Sequence, residues 1–407
     1  MEQPMDGMGK RRMNTKSSVK PFTPWPSFEE DEIAAADAVL RSGKVNYWTG
    51  EEGREFEKEF ADFVGVRHAI ALANGTVALE AALVGLGIGP GDDVVVTCRT
   101  FVASASCVVM RGARPVMADV SPVSQNITAD TIRRALTPAT RAIIVVHLAG
   151  WPCDMDSILE LARERGIFVV EDCAQAVGAR YKGRPVGCLG HAAAFSFCQD
   201  KIMTTGGEGG MLTTNDREVW GKAWAFKDHG KNHETVYCRE HPPGFRWLVE
   251  SFGTNWRMTE MQAAIGRVQL RKVPRWVEIR RRHAAFLNER FREVPGLRIT
   301  VPGEDIFHAY YKYYCFVDPA ALKEGWSRDR IVAAVDARGV PCMSGSCGEI
   351  YLEKAFECDG LRPAERFEAA RQLAETSLMF KVHSTLDEQH MEGTCQAVEE
   401  VLRSAVR

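Results

Sequence analysis

The sequence has 12 cysteines but no C-x-x-C pair and no His/Cys spacing suited to zinc. Structural zinc sites use such paired ligands, so their absence argues against a metal site. Several cysteines lie inside apolar segments (Cys107, Cys173, Cys188), where free thiols behave as small core residues. Scattered free thiols are typical of a reducing compartment, and we predict a cytoplasmic protein.

Long hydrophobic runs and a large excess of one charge are also missing. The apolar runs 94–96 and 143–146 have the length of strands, not of membrane spans. A net charge of −3 favours neither nucleic acid nor an anionic membrane as a partner. The first twenty residues are basic but lack the apolar region of a secretory signal, and we predict a mobile arm over 1–20.

What the chain has is an alternation of short apolar runs and helical patterns, which favours an α/β fold with a mainly parallel sheet covered on both faces. The predicted strands are 68–73, 94–97, 114–118, 142–146, 167–171, 193–197 and 210–213. The predicted helices are 28–40, 54–63, 77–86, 102–110, 128–136 and 154–164. We expect these elements to form a large domain over 21–272.

The pattern changes after residue 216. Residues 227–252 are rich in His, Lys and Arg and predict a long loop, whose cations could meet acidic groups of a ligand. A helix is predicted over 258–270, and Pro274 is expected to break it from a basic helix over 275–291. The remainder mixes a strand (310–317) with helices (328–338, 363–376, 387–401), which predicts a smaller C-terminal α/β domain over 273–407.

One lysine stands out in this pattern. The predicted strand that ends at Phe197 is followed by Lys201 in a turn of glycine and threonine, without the Gly-Lys-Ser/Thr pattern of a phosphate-cradling loop. A lysine held in a tight, apolar-flanked turn can lose its proton and form a Schiff base with a carbonyl cofactor. An ordinary surface lysine is the alternative. The residues that follow the other strands decide between a Schiff-base lysine and a surface lysine.

Ligands bind to open parallel sheets at the carboxyl ends of the strands. The residues that follow the predicted strands there suit the parts of pyridoxal 5'-phosphate (PLP): Gly75 and Thr76 at a helix start and Ser196 for the phosphate, Phe101 to stack on the ring, Gln175 for the ring hydroxyl, and Asp172 for the ring nitrogen. Taken singly, each has a structural explanation as a helix cap, a turn residue or a core aromatic. Their convergence on Lys201 predicts a PLP site.

The sequence resembles the sugar aminotransferases of the fold-type-I PLP class, the DegT/StrS family, from about Trp25 to the C-terminus. The resemblance lies in the motifs Asn74-Gly-Thr-x-Ala-Leu, Gly89-Pro-Gly-Asp92, Glu171-Asp-Cys-Ala-Gln-Ala176, Phe195-Ser-Phe-x-x-x-Lys201, Gly207-Glu-Gly-Gly210 and Gly253-Thr-Asn-Trp-Arg-Met258. Two stretches depart from the usual pattern: Cys198-Gln-Asp200 precedes the lysine, and His383-Ser-Thr-Leu replaces His-Pro-Thr/Ser-Leu.

The resemblance implies that Lys201 is the Schiff-base lysine and Asp172 the partner of the pyridinium. It implies that Gln175 contacts the ring oxygen, that Phe101 stacks, and that Gly75, Thr76 and Ser196 hold the phosphate. Asn255 would reach the phosphate of a neighbouring subunit, which implies a homodimer with shared sites. The implied reaction moves an amino group from an amino acid, by family L-glutamate, to a keto-sugar, by resemblance nucleotide-linked.

Other functions stay open at this point. The acceptor could be a free keto-sugar acid or an aminocyclitol precursor, and the same fold also hosts PLP-dependent sugar dehydratases, which often have histidine in place of the lysine. A regulator that retains the fold but does not turn over is a further alternative. A nicotinamide dehydrogenase is disfavoured, because Asn74-Gly-Thr76 stands where G-x-G-x-x-G would follow the first strand.

Overall fold

The computed structural model describes residues 19–407 and places a seven-stranded sheet at the centre of the fold. The strands are β1 (His68–Leu72), β2 (Asp93–Thr97), β3 (Arg114–Ala118), β4 (Thr140–Val146), β5 (Phe168–Asp172), β8 (Ala192–Ser196) and β9 (Gly210–Thr214), with the hairpin β6 (Arg180–Tyr181) and β7 (Arg184–Pro185) outside the sheet. Their order is β1-β9-β8-β5-β4-β2-β3, and only β9 runs antiparallel to its neighbours. All seven predicted strands are confirmed, as is the mainly parallel sheet.

Helices cover both faces of the sheet, as its strand sequences predict. The helices of this region are α1 (Glu30–Ser42), α2 (Glu52–Val64), α3 (Gly75–Gly85), α4 (Ala103–Met110), α5 (Ala129–Ala135), α6 (Met155–Arg165), α7 (Arg217–Lys227) and α8 (His233–Tyr237). Val94 and Val96 of β2 point into the apolar core shared with α3 and α4, whereas Val95 points into the core shared with α5 and α6. Because side chains on both faces of such a strand are buried, its sequence is a continuous apolar run.

The predicted break at Pro274 is wrong, because α9 runs without interruption over Glu260–Phe291. A proline inside a helix removes one backbone hydrogen bond and crowds the preceding turn. Here the helix packs along α1 and α2, and Val273 and Val277, on either side of the proline, are buried in the core. This packing offsets the free energy lost with the missing backbone hydrogen bond. The domain boundary predicted at 272/273 falls inside α9, and the domain division stays a prediction.

A smaller α/β part follows α9. Its four-stranded sheet has the order β10-β12-β14-β13. The remaining elements are β10 (Leu297–Ile299), β11 (Ile306–Phe307), β12 (Tyr313–Val317), α10 (Arg328–Asp336), β13 (Cys342–Met343), α11 (Lys354–Cys358), α12 (Glu368–Thr376), β14 (Ser377–Phe380) and α13 (Glu388–Ala405). β11 joins β6 and β7 in a separate small sheet. The predicted strand and the three predicted helices of this region are present, and each is shifted at one or both ends.

The predicted surface loop is changed by the structure, and the predicted N-terminal arm lies mostly outside the described residues. The loop predicted from residue 227 starts later, because Lys227 ends α7 with its side chain fully buried, and α8 occupies part of the segment. The arm predicted over 1–20 lies outside the described residues except for its last two, of which Lys20 forms an ion pair with Asp387. Between residues 19 and 407, the helices are too short or too polar to cross a membrane.

Candidate active site

A cavity of ≈ 930 Å³ opens at the carboxyl edge of the central sheet. Its walls come from the segments after β1, β2, β5 and β8 and from the end of the smaller sheet, at β12 and β14. Six of the seven sheet strands run parallel, so residues far apart in sequence leave the sheet at one edge. The cavity holds seven of the eight residues predicted for the cofactor site: Gly75, Thr76, Phe101, Asp172, Gln175, Ser196 and Lys201.

The start of α3 forms one wall of the cavity. The Asn74 side chain caps the helix by accepting from the Val77 N–H at 3.0 Å. No acceptor within residues 19–407 pairs with the N–H groups of Gly75 or Thr76, and such free N–H groups at a helix start favour an anion. A Cβ added to Gly75 would lie 2.6 Å from the Cβ of Ser196. Glycine is therefore required here for α3 to approach the end of β8.

Asp172 ends β5 and is 5% exposed. Its carboxylate accepts from the Ser104 hydroxyl at 2.7 Å and from the Ala174 N–H at 3.1 Å. Burial raises the pKa of Asp172, although these hydrogen bonds and the nearby His147 and Lys201 favour the ionised form. A buried carboxylate that faces a cavity and lacks a full counter-charge suits a cationic ring N–H, which is the group that a pyridinium presents.

Lys201 follows the end of β8 and lines the cavity. Its ammonium Nζ is 3.0 Å from Asp200 Oδ1 and 5.2 Å from the centre of the Tyr311 ring, and the Tyr311 hydroxyl donates to the other Asp200 oxygen. Burial opposes ionisation of Asp200, but Lys201 and the Tyr311 hydroxyl outweigh it and hold the pKa of the carboxyl below its usual value. The backbone carbonyl of Lys201 accepts from the indole of Trp25 at 2.8 Å.

Two further predicted residues are placed for contact with a ring. Gln175 Oε1 accepts from the Ala149 N–H at 2.8 Å, which leaves the amide NH₂ as the group available to a ring oxygen. Phe101 is 66% exposed at the cavity mouth, so the face of its ring is accessible for stacking. A core role for Phe101 is thereby excluded.

Other residues at the sheet edge turn away from the cavity. Asn255 is exposed and outside the cavity of its own chain, so its predicted contact with a neighbouring subunit stays a prediction. His147, which follows β4, is fully buried and donates from Nε2 to Glu171 at 3.0 Å. Arg99 is fully buried and donates to Gln125. Position at the carboxyl edge is thus not sufficient for a place in the site.

The sequence interpretation missed several cavity residues. Ser104, on the first turn of α4, donates to Asp172, and its only signal was a hydroxyl seven residues after a strand end. Asp200 was noted only as a departure from the family pattern. Tyr311, Lys312 and Lys381 come from the smaller sheet, more than a hundred residues after Lys201, and no local pattern marks them.

The crowding at Gly75 gives a testable prediction. Gly75→Ala is expected to weaken PLP binding about tenfold or more, because overpacking costs about 1–3 kcal/mol and pushes α3 away from Ser196. Fluorescence titration of the apoprotein with PLP measures the change in Kd. Gly221→Ala is the matched control, since a Cβ at Gly221 of α7 meets nothing within 4 Å. An unchanged Kd in the Gly75 variant would contradict the cradle.

Comparisons with known proteins agree with this geometry. The sequence model of the DegT/DnrJ/EryC1/StrS aminotransferase family matches residues 26–399. A GDP-perosamine synthase of Caulobacter vibrioides is 42% identical over 300 residues, which cover 72% of this chain and 76% of that protein. The X-ray structure of an aminotransferase from Psychrobacter cryohalolentis superposes with a TM-score of 0.93 at 54% identity and covers 94% of this chain and 99% of its own.

A third comparison bears on the cofactor. A Streptococcus pneumoniae protein described as a sugar aminotransferase was solved in its PLP form. It superposes with a TM-score of 0.82 at 25% identity and covers 94% of this chain and 99% of its own. The predicted fold and cofactor are confirmed by these matches together.

Proposed function

Because the chain belongs to the DegT/DnrJ/EryC1/StrS aminotransferase family, we propose that it moves an amino group from L-glutamate to a nucleotide-linked keto-sugar. The product would serve surface polysaccharide or other amino-sugar biosynthesis. The observation that carries the proposal is that Lys201, Asp172 and the start of α3 face one cavity. The Caulobacter relative is named for a GDP-linked product, which supports the nucleotide part of the proposal.

PLP bound in this cavity supplies an aldehyde that takes up the amino group and a ring that accepts electrons from the substrate carbon. Lys201 would hold that aldehyde at rest and, once free, would carry a proton between the two carbons that exchange it. Asp172, kept in place by Ser104, would hold the proton on the ring nitrogen. The N–H groups of Gly75 and Thr76, with the hydroxyl of Ser196, would bind the phosphate.

Phe101 and Gln175 would orient the ring. Phe101 offers an exposed face for stacking, and Gln175 offers its NH₂ to the ring oxygen. The Trp25 indole donates a hydrogen bond to the Lys201 carbonyl, and its ring stacks on His383 with 5.8 Å between the ring centres. Trp25 would thus keep the turn that contains Lys201 in place. These contacts fix the reacting groups before substrate arrives, which lowers the entropic cost of the reaction.

We also propose that the working unit is a homodimer. The segment after α8 exposes four large apolar side chains, Phe245, Trp247, Val249 and Phe252, and Asn255 follows them on the surface. Exposed apolar groups of this kind favour burial against another chain. Asn255 would then reach the phosphate site of the neighbouring subunit. Sedimentation at the mass of a monomer would overturn this part of the proposal.

The test separates the two halves of the reaction. The PLP-loaded protein is mixed with L-glutamate, and we expect 2-oxoglutarate in an amount equal to the sites, with loss of the cofactor's visible absorbance. The aminated form is then given a panel of acceptors: nucleotide-linked keto-sugars, free keto-sugar acids and keto-inositols. Return of the absorbance with the first group alone is expected. Loss of water from a sugar without 2-oxoglutarate would instead indicate a dehydratase.

A further inference from the structure

Two lysines flank the paired ends of β12 and β14 at the wall of the cavity. β12 and β14 are antiparallel, and their last pair is Tyr313 with Phe380. Lys312 immediately precedes β12 and Lys381 immediately follows β14, and both line the cavity. Like charges that lie close together destabilise a fold, and, in addition to burial, the charge of Lys381 helps to lower the pKa of Lys312. A fold that keeps such a pair at the wall of a binding cavity suggests that a ligand compensates the charge.

The protein itself does not neutralise this pair. Within residues 19–407, neither lysine makes an ion pair with a carboxylate. Asp200 is the carboxylate that acts on Lys312, and its two oxygens already accept from Lys201 and Tyr311. Burial lowers the pKa of Lys312 to about 8, which Asp200 opposes and the surrounding cations reinforce. The charges near Lys312 are therefore mainly positive.

A third group points to the same conclusion. The imidazole of His383 is 3% exposed and lines the cavity. Its Nδ1 lies 2.9 Å from the Thr385 hydroxyl, while its Nε2 is buried without a hydrogen-bond partner in residues 19–407. Unsatisfied buried polar atoms are rare in folded proteins and call for a ligand or water. His383 and the lysine pair thus line the same cavity with unused hydrogen-bonding capacity.

We propose that Lys312, Lys381 and Nε2 of His383 form a subsite for the anionic oxygens of a substrate. The inference rests on the proposed function, in which both substrates enter this cavity in turn. Two substrate groups have the required chemistry: the carboxylates of the amino donor and the diphosphate of the acceptor. The Tyr311 ring lies 5.2 Å from the amine of Lys201 and 4.6 Å from that of Lys312, so the subsite is close to the reacting nitrogen.

The experiment measures binding without turnover. Glutarate, which has the carboxylates of the donor but no amino group, and inorganic pyrophosphate are each titrated into the PLP-loaded protein by calorimetry at constant ionic strength. Hydrogen bonds to charged groups predict that Lys312→Gln and Lys381→Gln each weaken at least one probe about tenfold or more. Lys381→Arg keeps the charge and is expected to retain most of the binding. Lys222→Gln, at an exposed lysine paired with Glu218, is the control.

The two probes identify the source of the anion. Weaker glutarate binding alone assigns the subsite to the donor, weaker pyrophosphate binding alone assigns it to the acceptor, and weakening of both means that the substrates share it. Binding of both probes to the glutamine variants as tightly as to the Lys222→Gln control overturns the subsite, as does a wild-type protein that binds neither. Absence of 2-oxoglutarate in the wild-type assay overturns the proposed function alone, since the titrations need no turnover.

A second measurement guards against variants that misfold. Removal of one of two like charges that lie close together is expected to raise the Tm of Lys381→Gln in buffer without polyvalent anions. The probe that binds is expected to raise the Tm of the wild type and to leave that of the variant nearly unchanged. A variant that is less stable and still responds to the probe like the wild type would contradict the proposal.

Discussion

Lys201→Ala is expected to lower the rate of 2-oxoglutarate formation on the order of 10⁴-fold, the upper end for a positioned proton-transfer group. The amine at this position lies 3.0 Å from Asp200 Oδ1, and the indole of Trp25 holds its backbone carbonyl. Without it, neither the resting covalent bond to PLP nor the proton transfer has a protein group to perform it. Single-turnover absorbance with L-glutamate measures the rate.

Two observations separate this loss from a damaged fold. Borohydride reduction followed by peptide mass analysis is expected to find the cofactor on the peptide that contains Lys201 in the wild type and on no peptide of the variant. Small amines such as ethylamine are expected to restore part of the rate in the variant, because they can carry the missing proton. Lys222→Ala should behave as the wild type. A variant that keeps a reducible covalent cofactor would remove Lys201 from its proposed role.

The site residues that follow directly after strands could be predicted from the sequence. β5 and β8 read as apolar runs closed by polar residues, and both runs lie in a parallel sheet, so Asp172 and Lys201 could be assigned to one edge before any coordinates. The start of α3 was equally visible, since Gly75 and Thr76 open a helix directly after β1. These are local signals, and each element of the pattern agrees with the global fold.

The rest depends on contacts between distant segments. Lys312 and Lys381 line the same cavity because β12 pairs with β14, and no local pattern specifies that pairing. The burial of Lys227 follows from its packing over the Tyr47 ring, 3.7 Å from its centre, and the unbroken α9 follows from the packing of Val273 and Val277 around Pro274. In these cases tertiary packing overrides the local preference of a residue.

Asp172→Asn is expected to stabilise the protein without cofactor and to inactivate the protein with it. Burial raises the pKa of Asp172, so the contribution of its proton to stability is complete below the unfolded pKa and is lost as pH rises through the folded pKa. As the pH rises through the folded pKa, the apoprotein comes to hold a buried negative charge that costs stability, and an amide would remove this cost. We expect a higher Tm for the variant apoprotein at pH 8 and a smaller difference as the pH falls.

With PLP bound, the same substitution is expected to act in the opposite direction. The carboxylate then faces a protonated ring nitrogen, and loss of such a preorganised charge typically lowers a rate about 10²- to 10³-fold. Single-turnover rates with L-glutamate and thermal unfolding with and without PLP measure the two effects. Asp62→Asn, at an exposed aspartate of α2, controls for the loss of one charge.

The gain in stability without PLP and the loss of activity with PLP have one cause, so both must be observed together. The same carboxylate destabilises the empty site and stabilises the filled one, because burial penalises its charge until a cation arrives. Ser104 donates to this carboxylate at 2.7 Å, so a contact within the protein fixes its position. An Asp172→Asn apoprotein that is less stable than the wild type at pH 8, or a loaded variant that keeps the wild-type rate, would show that Asp172 is a structural cap and not the partner of the ring nitrogen.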